Sequence, residues 1–165
     1  MAYAITDLII GSQPIANTDT TKRHPLGTIV RAVDPTYGAG EFIYLLGVAN
    51  TILGSAVTYN MDNGSTTLVV ADAIGPVGIA MSANVANQYG WYQISGKAVV
   101  DCATVSDNGN VYASATAGEL DDAVVAGDLV HNAKFASANG TPSAGLAELE
   151  ISRPWMDDNV DDLDT

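Results

Sequence analysis

The chain has 165 residues, of which 47% are hydrophobic and 15% are charged, and it carries six cationic side chains against nineteen carboxylates. This hydrophobic content excludes a disordered chain, and the length suits one ordinary domain or two small β-modules in tandem. The formal charge of −13 argues against a nucleic-acid partner and against an anionic membrane surface, because binding to phosphate requires clustered cations. A basic protein surface is the partner that this charge favours.

The first 24 residues are predicted to form an extended arm, because polar residues cluster over 17–24 without a helical period and Pro14 and Pro25 interrupt the chain. Apolar residues 8–10 are too few for a signal peptide and lack a positive flank, and no segment approaches the roughly 20 apolar residues of a membrane span. We therefore expect a protein that is made, and used or assembled, in the cytoplasm.

Strand-like patterns follow from position 28 to position 151, rich in β-branched and aromatic residues and separated by Gly, Asn, Asp and Pro. Residues 89–101 predict one strand, a break at Ser95–Gly96 and a second strand, and Asn63–Gly64 predicts a hairpin between residues 56–59 and 66–70. The other predicted strands are 28–33, 41–46, 77–81, 111–114, 128–130, 134–136 and 146–151.

Sixteen glycines, many short strands, and the absence of any window of about 12 residues with an amphipathic helical period predict an all-β fold. A jelly-roll-like β-sandwich and a smaller open barrel both fit this pattern. The predicted organisation is an arm (1–24), a β-rich body (25–156) with a possible subdivision near 75, and an acidic tail (157–165). An acidic tail is ordinarily a solvated terminus; the alternative is a docking segment that orders against basic groups of a neighbouring subunit.

The residue pattern offers little for catalysis, metal binding or cofactor binding. Cys102 is the only cysteine, so no disulfide within the chain is possible, and it is predicted to be a buried core residue. His24 and His131 lack ligand neighbours at metal-site spacing. Glu148 and Glu150 share one strand face, which a glycosidase pair would require, but the period of a strand alone explains that arrangement. We predict no enzyme activity, no cofactor and no metal.

Aromatic residues have three possible uses in this chain: core, sugar platform or subunit interface. Trp91 and Tyr92 point to opposite faces of their strand, so one can be core while the other is exposed, and both are candidate interface residues. Trp155 follows Arg153–Pro154 and precedes the acidic tail, which favours a role as an interface anchor.

Three stretches resemble the capsid decoration proteins, also called cement or head-stabilising proteins, of tailed bacteriophages. They are residues 24–32 with 34–44, residues 81–86 with 89–96, and residues 116–134 together with the Arg153–Pro154–Trp155 ending. The resemblance implies a non-enzymatic virion protein on the outer capsid surface, assembled in the host cytoplasm, which bridges major capsid proteins as a homodimer or homotrimer.

Two groups of residues are predicted to make the capsid contacts: Lys22, Arg23 and His24 in the arm, and the Arg153–Trp155 anchor. Deletion of residues 1–24 is accordingly expected to leave the β-body folded and to abolish capsid binding. The alternative is a carbohydrate- or receptor-binding module of a head fibre with Trp91 or Tyr92 as its platform. A weaker third possibility is a hydrolase, which requires a deep pocket that holds Glu148 and Glu150.

Overall fold

The computed structural model describes residues 1–7 and 11–159, and within them the chain forms strands and turns and no helix. The all-β prediction is therefore confirmed, and a β-sandwich or an open barrel fits the sheet. The predicted acidic tail lies outside the described residues from position 160 onward, as do the apolar residues 8–10. In chain order the strands are β1 (Ala4–Ile5), β2 (Thr18–Asp19), β3 (Ile29–Asp34), β4 (Gly38–Leu46), β5 (Ala56–Tyr59), β6 (Thr66–Leu68), β7 (Gly75–Ala80), β8 (Tyr89–Asp101), β9 (Tyr112–Ala113), β10 (Leu120–Asp121), β11 (Val130–Phe135) and β12 (Leu146–Met156).

Ten strands form one sheet in the order β1-β3-β4-β8-β12-β7-β5-β6, with β11 added to β12 and β2 added to β8. β9 and β10 pair as a separate two-stranded ribbon. The pairings between these strands are antiparallel, and short turns join the neighbours β3–β4 and β5–β6. β5 pairs with β7, so the strands on either side of position 75 belong to the same sheet. The described part of the chain contains no helix that is long and apolar enough to span a membrane.

β8 is the longest strand and lies at the centre of the sheet. Its first half pairs with β4 and its second half pairs with β12. The prediction of two strands separated by a break is wrong, because β8 is continuous and a register shift opposite Glu41 and Phe42 marks a bulge instead. Gly96 follows this bulge with φ +99°, and a Cβ there would lie 2.5 Å from the carbonyl oxygen of Ala39. Only glycine permits both the bend and this close approach.

The predicted hairpin around Asn63–Gly64 is present. β5 and β6 pair through Val57–Leu68, Thr58–Thr67 and Tyr59–Thr66. Gly64 has φ +68° in the connecting turn, a conformation that glycine adopts without steric cost. At this hairpin, and at Gly96 after the bulge in β8, a glycine with positive φ determines the course of the sheet.

Apolar side chains form three clusters, which together cover parts of both faces of the sheet. The largest lies between the second half of β8, β11, β12 and the small ribbon, and it includes Val100 and Leu149. A second cluster fills the curve formed by β4, β5, β7 and β8 around Ile43 and Tyr92. The third surrounds Trp91, where the N-terminal residues pack against β3 and β4. The interior strand β8 contributes residues to all three clusters, and both of its faces are covered around Trp91 and Tyr92.

The prediction that either Trp91 or Tyr92 is exposed is wrong, since neither side chain has any exposed surface. Strand alternation does place them in different clusters, but both faces of β8 are covered, so neither ring reaches solvent. Trp91 packs against Tyr44 with ring centroids 5.1 Å apart and against His24 at 5.6 Å. Its indole N–H donates to the carbonyl oxygen of Gln13 at 3.2 Å.

The N-terminal segment contributes directly to this third cluster. Tyr3 and Ile15 are buried, and Tyr3 meets the edge of the Phe42 ring with centroids 4.8 Å apart. β1 pairs with β3 and β2 pairs with β8, so the segment is also tied down by backbone hydrogen bonds. Because it supplies part of the core, removal of residues 1–24 would expose the aromatic cluster around Trp91. This conflicts with the expectation that the β-body folds without the arm.

Asp34 ties the start of the chain to the turn after β3. Its buried carboxylate accepts hydrogen bonds from the backbone N–H groups of Ala2, Thr36 and Tyr37, the last two at 2.7 and 3.0 Å. Burial alone would raise the pKa of Asp34, but the three N–H donors outweigh it and hold the pKa below its ordinary value of 3.8. The charged form of Asp34 is therefore the form that the fold stabilises.

We expect Asp34→Asn to lower the free energy of unfolding at neutral pH by about 1–3 kcal/mol, the usual cost of losing charge-assisted hydrogen bonds to buried groups. The folded-state pKa lies below the unfolded one, so the carboxylate stabilises the fold above about pH 4 and this contribution is lost as the pH falls through the folded-state pKa. Urea unfolding at neutral and acidic pH measures both effects. Asp62→Asn, at an exposed turn position, is the matched control; equal losses in the two variants would contradict the anchoring role of Asp34.

Candidate interaction surface

The predicted contact residues of the arm differ in their accessibility. Lys22 and Arg23 are exposed, and the Arg23 Nε lies 2.6 Å from the Asp19 carboxylate. His24 is only 7% exposed and meets the edge of the Tyr44 ring at 5.1 Å. The prediction of His24 as a surface contact is therefore wrong for this structure, since its ring is part of the core. The two cations remain available to a partner.

Trp155 is exposed over 40% of its surface and is held in a fixed orientation. Its ring stacks on His131 with centroids 4.2 Å apart and an interplanar angle of 15°. The Asp157 carboxylate lies 3.4 Å from the His131 Nε2, and Pro154, the residue before Trp155, is buried. The His131 ring covers one face of the Trp155 ring and the buried Pro154 holds the adjoining backbone. The other face of Trp155 is therefore presented to solvent in a defined orientation.

Arg153 occupies the corner at which β12 leaves β8 and approaches β7. It has φ +49°, and on either side of it β12 pairs first with β8, up to Ser152, and then with β7, from Trp155. Its guanidinium lies 3.0 Å from the Glu41 carboxylate. Burial raises the pKa of Tyr59, and the nearby positive charge of Arg153 offsets part of that increase. Arg153 therefore lies between Glu41 and Tyr59 at the surface.

Trp155 belongs to a larger group of exposed apolar side chains, which we call the apolar end. Ile74, at 70% exposed, precedes β7, whose Pro76 pairs directly with Trp155. Met61 and Ile74 line one groove of about 400 Å³ together with mostly polar residues such as Thr58, Asn60 and Thr67, so the groove itself is polar. The members of the apolar end are Met61, Val70, Ile74, Val124, Val125 and Trp155.

Specific contacts bring the loops of the apolar end together. The backbone N–H of Asp72 donates to the buried carboxylate of Asp128 at 2.7 Å, which ties the loop after β6 to the loop before β11. Gly127 has φ +84° and lies against the carboxylates of Asp158 and Asp72, so the chain that leaves β12 passes the same loops. Val124 and Val125 are in the loop that these contacts hold.

Carboxylates surround the apolar end. Asp62 lies beside Met61, Asp72 lies between Val70 and Ile74, and Asp157 and Asp158 follow Trp155. An apolar surface with an acidic rim is complementary to an apolar surface with Lys or Arg at its edge, because the rim charges then pair rather than repel.

No protein family, curated protein or solved structure matches this chain.

The two glutamates of β12 do not share a deep pocket. The Glu148 carboxylate lies 2.5 Å from the Lys97 Nζ, and Glu150 is exposed beside Lys97 and Lys134 on a shallow groove. A glycosidase needs two carboxylates that face one enclosed substrate site. The arrangement here is instead a solvent-facing row of cross-strand charge pairs, so it gives the hydrolase possibility no support.

Cys102 is buried, as predicted. Burial raises the pKa of Cys102 to about 11, and the negative charges of Asp101, Glu119 and Asp121 add to that increase. Since the thiolate is the nucleophilic form, the thiol is unreactive at neutral pH. Within the described residues, no group of three or more His, Cys, Asp or Glu side chains could hold a metal ion.

The sequence analysis found Trp155 but missed the rest of the apolar end. Met61 and Ile74 lie next to Asp, Asn or Gly, and the Val124–Val125 pair lies within two residues of Asp122 and Gly127, all outside the strands. Large apolar residues at turn positions were the available signal, because turns ordinarily carry small or polar residues. Several such residues in one chain indicate an exposed apolar patch, which in soluble proteins marks an interaction site.

Proposed function

We propose that this chain is a structural virion protein that binds the outer surface of a tailed-phage head and stabilises it. The observation that carries the proposal is the apolar end, a set of exposed large apolar side chains on linked loops and at the end of β12, one of which is an oriented tryptophan. The class of partner comes from the resemblance of residues 24–32 with 34–44, 81–86 with 89–96, and 116–134 with 153–155 to capsid decoration proteins. The major capsid protein is the proposed partner.

The apolar end has the composition of a binding hot spot. Trp is the residue most enriched at energetically dominant interface positions, and the stack on His131 removes much of the entropy cost of ordering it. Ile74 and Met61 would supply apolar area beside it, and the acidic rim would select a partner with basic residues. A partner surface of this chemistry would gain from burial at the centre and from charge pairing at the edge.

Bridging between capsid subunits requires many weak contacts rather than one strong contact. A dimer or trimer of this chain would present two or three apolar ends to a symmetric surface, and the second contact would then form at a high effective concentration. A sheet with hydrophobic clusters on both faces supports such a contact, because the surface does not have to be ordered on binding.

A structural role also agrees with the state of the residues that could perform chemistry. The Cys102 thiol is buried and protonated, and Glu148 is paired with Lys97. We therefore propose that the protein acts by binding and catalyses no reaction.

The burial of Trp91 and Tyr92 leaves Trp155 as the candidate platform for the carbohydrate-binding alternative. Trp91 and Tyr92, the proposed platform residues, are inaccessible, so a sugar could stack only on Trp155 among the three aromatic residues considered. A sugar platform of this kind would bind glycans through the Trp155 ring without need of Ile74 or Met61. Capsid binding instead requires the whole apolar end.

Substitutions in the apolar end test the proposal in a co-sedimentation assay with undecorated heads assembled from the capsid protein of the same phage. We expect Trp155→Ala to weaken binding by about 30-fold, the loss typical of an interface hot spot of 2 kcal/mol. Ile74→Ser should weaken it less, by roughly tenfold. Ile52→Ser makes the same substitution at an exposed apolar residue on the loop between β4 and β5. This variant should bind as the unmodified chain does. Unchanged binding by both apolar-end variants would refute this surface as the contact.

A further inference from the structure

The exposed face of the sheet opposite the largest apolar cluster carries an ordered array of charges. Arg31 pairs with Glu41 across β3 and β4, and Glu150 pairs with Lys97 on one side and with Lys134 on the other. Directly paired residues lie on the same face of a sheet. The charged face, as we call it, consists of Arg31, Glu41, Lys97, Lys134, Glu148, Glu150 and Arg153.

The charged face differs from the rest of the chain in its ratio of cations to carboxylates. It contains four of the six cationic side chains and three of the nineteen carboxylates, which leaves two cations and sixteen carboxylates for all the other residues. An acidic ligand would be repelled by much of this protein and would meet a small positive excess on the charged face.

The positive excess is concentrated at Glu41. Arg153 and Arg31 approach this one carboxylate at 3.0 and 3.6 Å, and the side chains of the two arginines are 59% and 73% exposed. One carboxylate neutralises one guanidinium, and each guanidinium has five N–H donors, so donors remain for a second acid. Carboxylate is the ligand that a planar guanidinium binds with two parallel hydrogen bonds.

Apolar residues flank these arginines. Ile29 and Val33 lie two positions on either side of Arg31 in β3 and are exposed on the same face. A ligand that combines carboxylates with small apolar side chains would therefore fit this part of the face better than a purely acidic ligand.

The last nine residues of the chain have that composition. Residues 157–165 contain five aspartates, no cation, and the apolar residues Val160 and Leu163. Within its own molecule Asp157 contacts His131, and Asp158 then lies beside the Asp72 carboxylate, which repels it. The charged face of another copy offers the opposite environment.

We propose that the acidic segment 157–165 of one copy binds the charged face of a second copy, with its aspartates on Arg31 and Arg153 and its apolar residues against Ile29 and Val33. Such a contact joins two different surfaces, so a reciprocal exchange between two copies gives a dimer, and repetition gives a ring when the rotation closes. The inference goes beyond capsid binding and does not depend on it, because the apolar end takes no part in the contact.

The oligomeric state of the purified chain, measured by light scattering, tests the proposal together with a peptide-binding assay. The full chain is expected to form a concentration-dependent oligomer that dissociates as salt is raised, since salt screens exposed charge pairs. A variant that ends at Asn159 should be monomeric. A fluorescent peptide of residues 157–165 should bind that shortened variant.

Substitutions separate the charged face from a general charge effect. Arg31→Gln with Arg153→Gln should weaken peptide binding by about tenfold or more and should make the full chain monomeric. Lys22→Gln with Arg23→Gln removes the same charge away from the charged face and should change neither result. A full chain that is monomeric at every concentration, an oligomer that survives the shortening, or equal effects of the two double variants would each overturn the proposal. Capsid binding by a monomeric chain would leave the proposed function intact.

Discussion

Deletion of residues 1–24 is expected to abolish the cooperative unfolding transition of the whole β-body. The deletion removes Tyr3, Ile15 and His24 from the aromatic cluster and leaves Trp91 without its cover. Loss of a single buried Ile or aromatic side chain costs about 2–5 kcal/mol, and a domain of this size is stable by roughly 5–15 kcal/mol in total. Thermal and urea unfolding, followed by near-ultraviolet circular dichroism, measure the effect.

A single substitution gives the same test without changing the chain length. Ile15→Ala should lower the free energy of unfolding by about 2–4 kcal/mol. Thr20→Ala, at an exposed position of the same segment, should lower it by less than about 0.5 kcal/mol. If a chain that starts at Pro25 unfolds with the midpoint of the full chain, the N-terminal segment is an independent arm after all.

Trp91→Ala is expected to cost about 3–5 kcal/mol of stability, since it leaves a large cavity where three segments of the chain meet. The lost indole also leaves the Gln13 carbonyl oxygen without its donor. Trp155→Ala should cost less than about 1 kcal/mol, because its ring is partly exposed. Urea unfolding of the two single variants measures this difference.

The two tryptophans are the only ones in the chain, so each variant retains one fluorescent reporter. Trp91, in the Trp155→Ala variant, should emit at short wavelength and resist quenching by iodide. Trp155, in the Trp91→Ala variant, should be quenched readily. Similar stability losses or similar quenching for the two variants would contradict the placement of Trp91 in the core.

The sequence predicted the strands well where local chemistry determines them. β-branched and aromatic runs predicted the strand locations, and Asn63–Gly64 predicted the hairpin, since both signals act within a few residues. The Ser95–Gly96 pair was interpreted as a break for the same local reason. Its actual role depends on the close approach of Ala39, about 57 positions earlier in the chain.

The burial of Trp91 and Tyr92 could not be predicted from alternation alone. Alternation assigns two faces to a strand, but it does not say whether one or both faces are covered. Here β8 is an interior strand, and one of its covers is the polar-looking N-terminal segment. That segment contains only a few apolar residues, of which Tyr3 and Ile15 are buried, and scattered residues of this kind produce no periodic pattern.

The apolar end and the charged face differ in how far the sequence alone predicts them. The apolar end was detectable in part, because large apolar residues at turn positions are visible in the sequence. The charged face was not, since Arg31 and Arg153 meet at Glu41 only after β3, β4 and β12 are brought together. Tertiary pairing, rather than local pattern, creates that surface.

The most direct test of the proposed function is a titration of undecorated phage heads with the purified chain. Heads are sedimented after mixing, and the bound chain is measured as a function of its free concentration. Specific decoration predicts saturation at a fixed number of copies per head, together with an increase in the temperature at which the heads open. Binding that fails to saturate, or saturated heads that open at the same temperature as bare ones, would contradict a role in head stabilisation.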